Sequence, residues 1–201
     1  MPSPVGHVLG ALAAAWTVLP PDADGTAEGR GAALLRRRRR LKAALVVGVA
    51  LLPDLDLLLG THSQWTHSVG AVALVFLAAW LAGGRRHTRF AAALALAYAT
   101  HPLLDWLGQD GTPPYGVMAG WPFTSRYFHS GADLFVGISR RYWLPGFAAH
   151  NVAAIAREVV LLGPPALAAW WWQHLRRRRP EGVLPMPPAS RSTQRGESLE
   201  H

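Results

Sequence analysis

Apolar runs long enough to cross a hydrocarbon layer constrain this chain more than any other feature. Four of them, Leu41 to Gly60, Ser68 to Gly83, Phe90 to Leu107 and Val152 to Leu175, approach or reach the length a membrane helix needs. A shorter run, His7 to Pro20, is marginal for a full crossing and suits a tilted or re-entrant helix packed against the others. The expected fold is all-α, a polytopic membrane helical bundle with four long spans and a shorter N-terminal helix. Half of the 201 residues are hydrophobic and 16% are charged, more apolar surface than one soluble core of this size would hide. No shift in composition marks a second globular unit, so residues 1–179 are expected to form one membrane-embedded domain. Residues 180–201 are rich in Pro, Ser, Arg and Gly and are expected to be a disordered tail. Its last residues, Leu199-Glu200-His201, look like a tag remnant. The first apolar run has no basic flank before it and no clear small-residue cleavage site, so it is expected to be retained.

The net charge of +8 would suit nucleic acid, but the excess lies in runs, Arg36 to Arg40 and Arg176 to Arg179, that abut apolar segments. That placement points to anionic lipid headgroups, and no nucleic-acid partner is expected. With both runs and the turn Arg85 to Arg89 on one side, the positive-inside rule makes that side cytoplasmic. The cluster Trp170-Trp171-Trp172 then sits where an interfacial aromatic belt belongs. Two connections, Thr61 to His67 and Gly108 to Asn151, face outward; Arg126, Arg140 and Arg141 in the second run against the rule. The chain has no cysteine, which excludes disulfides and thiolate metal sites and leaves His, Asp and Glu as the available ligands.

Those residues gather on the outer side of this map. Asp54 and Asp56 fall near the outer end of one span, and His62 and His67 lie in the turn that follows. His101 and Asp105 lie near the outer end of the next span but one, four residues apart and so on one helical face. His7 precedes the first apolar run, and Glu158 lies about two turns into the last span. Pro102 sits where a helix kinks or begins, which can aim His101. Carboxylates at membrane depth are costly unless paired or coordinated. The expected metal ligands are His7, Asp54, His62, His67, His101 and Asp105; Asp56, Glu158 and Arg126 are expected to act on the reacting groups. Imidazoles with carboxylates suit zinc, one ion or more, ahead of manganese or iron.

Plainer roles compete with these. An Asp beside a proline is often a helix cap. His101 and Asp105 can be a hydrogen-bonded helix pair, and Glu158 can be the ion-pair partner of Arg157. His87 and His174 are expected to be solvated or lipid-facing, whereas His129 and His150 can lie on the loop surface or, if the long loop folds back, over the site.

Five motifs in order, Met1-Pro2-Ser3-Pro4-Val5-Gly6-His7, Leu52-Pro53-Asp54-Leu55-Asp56, Thr66-His67-Ser68, His101-Pro102-Leu103-Leu104-Asp105 and Trp121-Pro122-Phe123, resemble the YdjM-type inner-membrane metal-dependent hydrolases, a bacterial group described as LexA-regulated. The resemblance runs from the first residue to about Glu158. It implies a multi-pass protein of the bacterial inner membrane and a metal-dependent hydrolase. The His-x-x-x-Asp pair also resembles ligands of the zinc-dependent phospholipase C and single-strand nuclease group, although that group's N-terminal tryptophan ligand is missing here.

The expected activity is hydrolysis of a phosphoester in a lipid or lipid-linked substrate at the extracytoplasmic face, with membrane lipids as surroundings and substrate source. Arg126 is expected to bind the phosphate or a lipid headgroup, and one of Asp56, His62, His7 and Glu158 is expected to be the general base. Two alternatives come from other classes. A metal-ion or proton transporter needs carboxylates strung through the bilayer depth. A noncatalytic membrane scaffold needs a closed metal site that pins helices together.

Overall fold

The computed structural model describes residues 1–19, 30–59, 62–111 and 113–178. The expected tail, its tag remnant and the last arginine of the second basic run lie outside these residues.

The fold is all-helical. Helix α1, Pro4–Val18, begins where Ser3 caps it, its hydroxyl accepting from the Gly6 N–H, and Pro4 occupies the first helical position, where a missing N–H costs nothing. Helix α2, Arg30–Leu51, stops two residues before Pro53, because a proline disfavours helical backbone in the residue preceding it. The chain continues as a 3-10 turn, Leu52–Leu59, that carries Asp54 and Asp56. A second 3-10 turn, Trp65–His67, leads into α3, Val69–Gly83, whose cap Ser68 accepts from the Ala71 N–H at 3.1 Å. Gly84, at φ 69°, ends α3 in a conformation that favours glycine, and the basic turn Arg85–His87 leads directly into α4, Thr88–Leu107. Helix α5, Phe147–Arg178, closes the chain.

The expected four long spans are not what forms. Among the described residues one helix, Phe147–Arg176, is long and apolar enough by itself to cross a membrane. The run Leu41 to Gly60 is broken at Leu51, and the helical part of it is fused to the arginine run. Helix α3 has 15 residues, so it spans roughly 22 Å at ~1.5 Å per residue, short of a ~30 Å hydrocarbon core. Helix α4 is long enough, but Thr88, Arg89, His101 and Asp105 dilute its apolar character. Pro102 lies inside α4, not at its start.

The short N-terminal helix and α4 share the centre of the bundle: α1 packs against α5, α4 and α2, while α4 also packs against α2 and α3. The seam is built from Ala11, Ala15, Ala50, Ala93 and Ala97 with Val46 and Leu94, and such small residues let helix backbones approach closely. Large apolar side chains point the other way. Leu74, Leu77 and Leu81 lie along one face of α3 and are exposed, as are Val160, Leu167 and Trp171 on α5. Apolar faces of this extent are rare on a soluble monomer and suit a lipid surround.

Antiparallel packing brings the start of α1, the end of α2, the start of α3 and the end of α4 to one end of the bundle. The connection between α4 and α5 folds back over that end. Met118 N–H donates to the Ser63 carbonyl, and the first-turn N–H groups of Val69 and Gly70 donate to the carbonyls of Ala119 and Trp121, each at 2.9 Å. These bonds satisfy donors that a helix start otherwise leaves open.

Candidate metal centre

At the covered end four side chains are sealed from solvent: His7, His67, His101 and Asp105 are each at most 3% exposed. They come from three different elements. The first turn of α1 carries His7, and the 3-10 turn before α3 carries His67. Near the end of α4, His101 and Asp105 sit four residues apart on one face, and their side chains meet at 3.4 Å. The rings of His7 and His101 stack in parallel with centroids 3.6 Å apart.

Asp105 is the centre of the group. One of its oxygens is 3.2 Å from His67 Nε2 and 3.4 Å from His101 Nε2; the other is 3.6 Å from His7 Nε2. Asp54 approaches His101 Nε2 at 3.4 Å, and its side chain is 32% exposed, which makes it the open edge of the cluster. None of these contacts has hydrogen-bond geometry: His67 Nε2, His101 Nε2, both oxygens of Asp105 and His7 Nδ1 are buried without a hydrogen-bond partner. Buried polar atoms are normally paired, so several orphans facing one another call for a shared partner. A tetrahedral ion with bonds of ~2.0–2.1 Å separates its ligand atoms by roughly 3.3 Å, and the spacings here match that edge. The donor set fits a divalent cation. Ligand atoms of two groups, His7 with His101 and Asp105, and Asp54 with His62 and His67, each fall within 4.8 Å of one another.

A second layer holds the imidazoles in place. His101 Nδ1 donates to the Ala50 carbonyl at 2.6 Å, which leaves Nε2 as the lone-pair nitrogen turned to the cluster. Asp56 is buried and faces three partners: His62 Nδ1 at 2.8 Å, the Thr66 hydroxyl at 2.7 Å and His67 Nδ1 at 3.3 Å. It therefore bonds the His62 imidazole and faces that of His67. Burial alone would push the His67 imidazole down, but the Asp105 and Asp56 carboxylates hold it above its ordinary value. The Tyr98 hydroxyl donates to the Thr66 carbonyl at 2.6 Å and steadies the turn that presents His67.

The remaining expected residues divide. His62 joins the edge of the cluster, with its side chain 19% exposed. Glu158 is fully buried but belongs elsewhere: it accepts from the Ser3 N–H at 2.6 Å, the Ser3 hydroxyl and the Gly6 N–H at 3.1 Å, clamping the start of α1. A helix N-terminus stabilises a carboxylate by its partial positive charge, which explains how this one tolerates burial. It does not pair with Arg157, which reaches the Asp133 carbonyl. Arg126 is exposed on the connection between α4 and α5. His129 faces Asp133 at 3.8 Å, and His150 bonds the Gly137 carbonyl; both are exposed. His87 caps the end of α3 through the Gly83 carbonyl, and His174 stacks on Trp170.

Sequence reasoning missed Thr66, Tyr98 and the Ala50 carbonyl. Tyr98 was findable, since it shares the helical face of His101 and Asp105 at a spacing of three and seven residues. A main-chain carbonyl carries no such signal.

Compared with curated proteins and with solved structures, the chain has no match. A family model described as YdjM inner membrane protein matches residues 1–179.

Proposed function

The chain belongs to the YdjM inner membrane protein family, and from that premise we propose that it is a metal-dependent hydrolase, cleaving a phosphoester of a lipid or lipid-linked substrate at the extracytoplasmic face. The observation that carries the reading is the set of buried, unpartnered ligand atoms on His7, His67, His101 and Asp105. In this reading the bundle as a whole crosses the membrane, its shorter helices shielded by α5 and by lipid around the exposed faces of α3 and α5.

Zinc is the preferred ion and manganese the alternative; a bound divalent cation supplies Lewis acidity and brings the pKa of coordinated water towards neutrality. The protein's own groups do the rest. His7, His67, His101 and Asp105 form the closed side of the site, and Asp54 and His62 form the side that substrate and water reach. His62 is fixed at that edge by Asp56 through Nδ1 and turns its Nε2 to the Met1 sulfur, which covers it there. Ala50 and Asp56 keep His101 and His67 from rotating, so no reorganisation is needed when charge develops.

The burial of four ligands also favours a second reading, a noncatalytic metal that pins α1 to α4 and the outer turn. A transporter finds less support, because Asp56 and Asp105 sit at one end of the bundle and Glu158 is tied to the start of α1. The test is protein purified without a metal-affinity column, assayed for bound metal and for turnover of phospholipids, isoprenoid phosphates and soluble phosphoesters. Hydrolysis should vanish with chelator and return with metal, and His101→Ala and Asp105→Ala should lose both metal and turnover. Bound metal with no turnover across the panel, and a melting temperature that falls on chelation, would establish the scaffold instead.

A further inference from the structure

Two clefts meet at the exposed edge of the metal centre, on either side of a single hydrogen bond. His62 lines one and Asp56 lines the other, and these two side chains are joined at 2.8 Å. The first cleft, about 670 Å³, lies under the connection between α4 and α5 and carries Arg140, Arg141 and His150 together with one carboxylate, Asp110, which accepts from the Gly116 N–H at 2.8 Å. The second, about 300 Å³, is almost wholly apolar apart from Asp56 and Thr66, and is walled by Leu52, Leu55, Leu74, Val75 and Trp121.

The basic cleft is built, not incidental. Asn151 brackets Ser139, accepting from its N–H at 2.8 Å and donating to its carbonyl at 3.0 Å. Ile138 N–H donates to the Met1 carbonyl, and the Arg141 N–H donates to the Ser139 hydroxyl. The segment bearing both arginines is thereby held against the first residue of the chain and the start of α5. Neither guanidinium has a carboxylate within ion-pair distance among the described residues, and both are exposed. Two adjacent forked cations without a carboxylate partner match the oxygens of a phosphate. If this connection faces outward, the positive-inside tendency also disfavours arginines here, so their presence asks for a local reason.

We propose that the two clefts together form the substrate site for an anionic amphiphile, its phosphate-bearing headgroup held by Arg140 and Arg141 and its hydrocarbon chain lying in the apolar cleft beside Asp56. The assignment rests on the hydrolase reading and sharpens it: the substrate straddles the His62–Asp56 bond, which sets its phosphoester against the open edge at Asp54. Arg126 has no part in it. The apolar cleft opens among exposed Leu55 and Leu74, so the chain enters sideways from lipid while the headgroup stays in water.

The full-length protein in a neutral detergent is titrated calorimetrically with dioctanoyl phosphatidic acid, with inorganic phosphate and with dioctanoylglycerol, alongside a metal assay of each variant. The phosphatidic acid should bind more tightly than either fragment. Arg140→Gln with Arg141→Gln should weaken it by at least about tenfold, with metal content unchanged. Leu55→Asn should weaken the phosphatidic acid and leave inorganic phosphate alone, and Arg85→Gln with Arg86→Gln should change nothing. The proposal is overturned if wild-type protein does not bind the phosphatidic acid, if inorganic phosphate binds equally well, or if the control pair matters as much as Arg140 and Arg141. Binding that behaves as expected in a protein that hydrolyses nothing keeps the amphiphile site and removes the hydrolase. Turnover with an unchanged KM in the Arg140, Arg141 double variant does the reverse.

Discussion

Asp56 and Asp54 are two residues apart in one 3-10 turn, yet their environments give them different work. Asp54 stays partly exposed and faces the lone-pair nitrogen of His101, whereas Asp56 is buried and spends both oxygens on His62, Thr66 and His67. Replacing Asp56 by Asn keeps the shape but removes the charge that orients two imidazoles. Metal affinity should fall by about 10–100-fold, the range for such supporting groups. Proton and metal compete for His67, whose proton is held above the ordinary 6.5 by the carboxylates around it. Affinity should therefore fall as pH drops through that raised value towards 6.5, and in Asp56→Asn the acid loss should begin at lower pH. Competition titrations against a metal chelator over this range measure both effects. An acid profile unmoved by the substitution would remove Asp56 from its assigned place.

At the scale of elements, the decisive contact is between α1 and α5. Glu158 satisfies the Ser3 and Gly6 N–H groups, four and one residues from His7 along the chain. A Cβ on Gly6 would stand 2.8 Å from a Glu158 oxygen, so the helices touch closely there. Glu158→Ala leaves those buried donors unsatisfied, and each orphan costs ~1–3 kcal/mol. The melting temperature should drop, and metal affinity should drop with it because His7 rides on the loosened turn. Arg157→Gln, a change at the neighbouring position on the exposed side, should alter neither. Thermal melts with and without metal would show whether the two losses travel together; a stability loss with undiminished metal affinity would uncouple His7 from the clamp.

At the scale of the whole molecule, one end of the bundle carries the basic turn Arg85–His87 and the other carries the metal centre under its covering loop. The chain has no native cysteine, so single cysteines at Arg86 and Ser125 can be labelled without background. In intact cells an impermeant thiol reagent should modify the Ser125 position and leave the Arg86 position until the membrane is opened. Labelling of Arg86 from outside would turn the protein over and put the site in the cytoplasm; labelling of both from one side would deny that the bundle crosses as a unit.

What was legible from residues alone is what local periodicity encodes. Helical class and the shared face of His101 and Asp105 depend on neighbours a few positions away, where spacing translates directly into geometry. The ligand types were legible as well, because a chain without cysteine has few ways to stabilise charge in an apolar bundle. Only the tertiary structure decided that α1 and α4 share the centre of the bundle, that Asp56 orients while Asp105 faces three imidazoles, that Ala50 supports His101 through its main chain, and that Glu158 belongs to a helix start instead of the site. The support of His101 by Ala50 and the clamp of Glu158 on Ser3 depend on which surfaces meet across 51 and 155 residues of chain. A helical repeat places a side chain on a face, but packing chooses what that face meets.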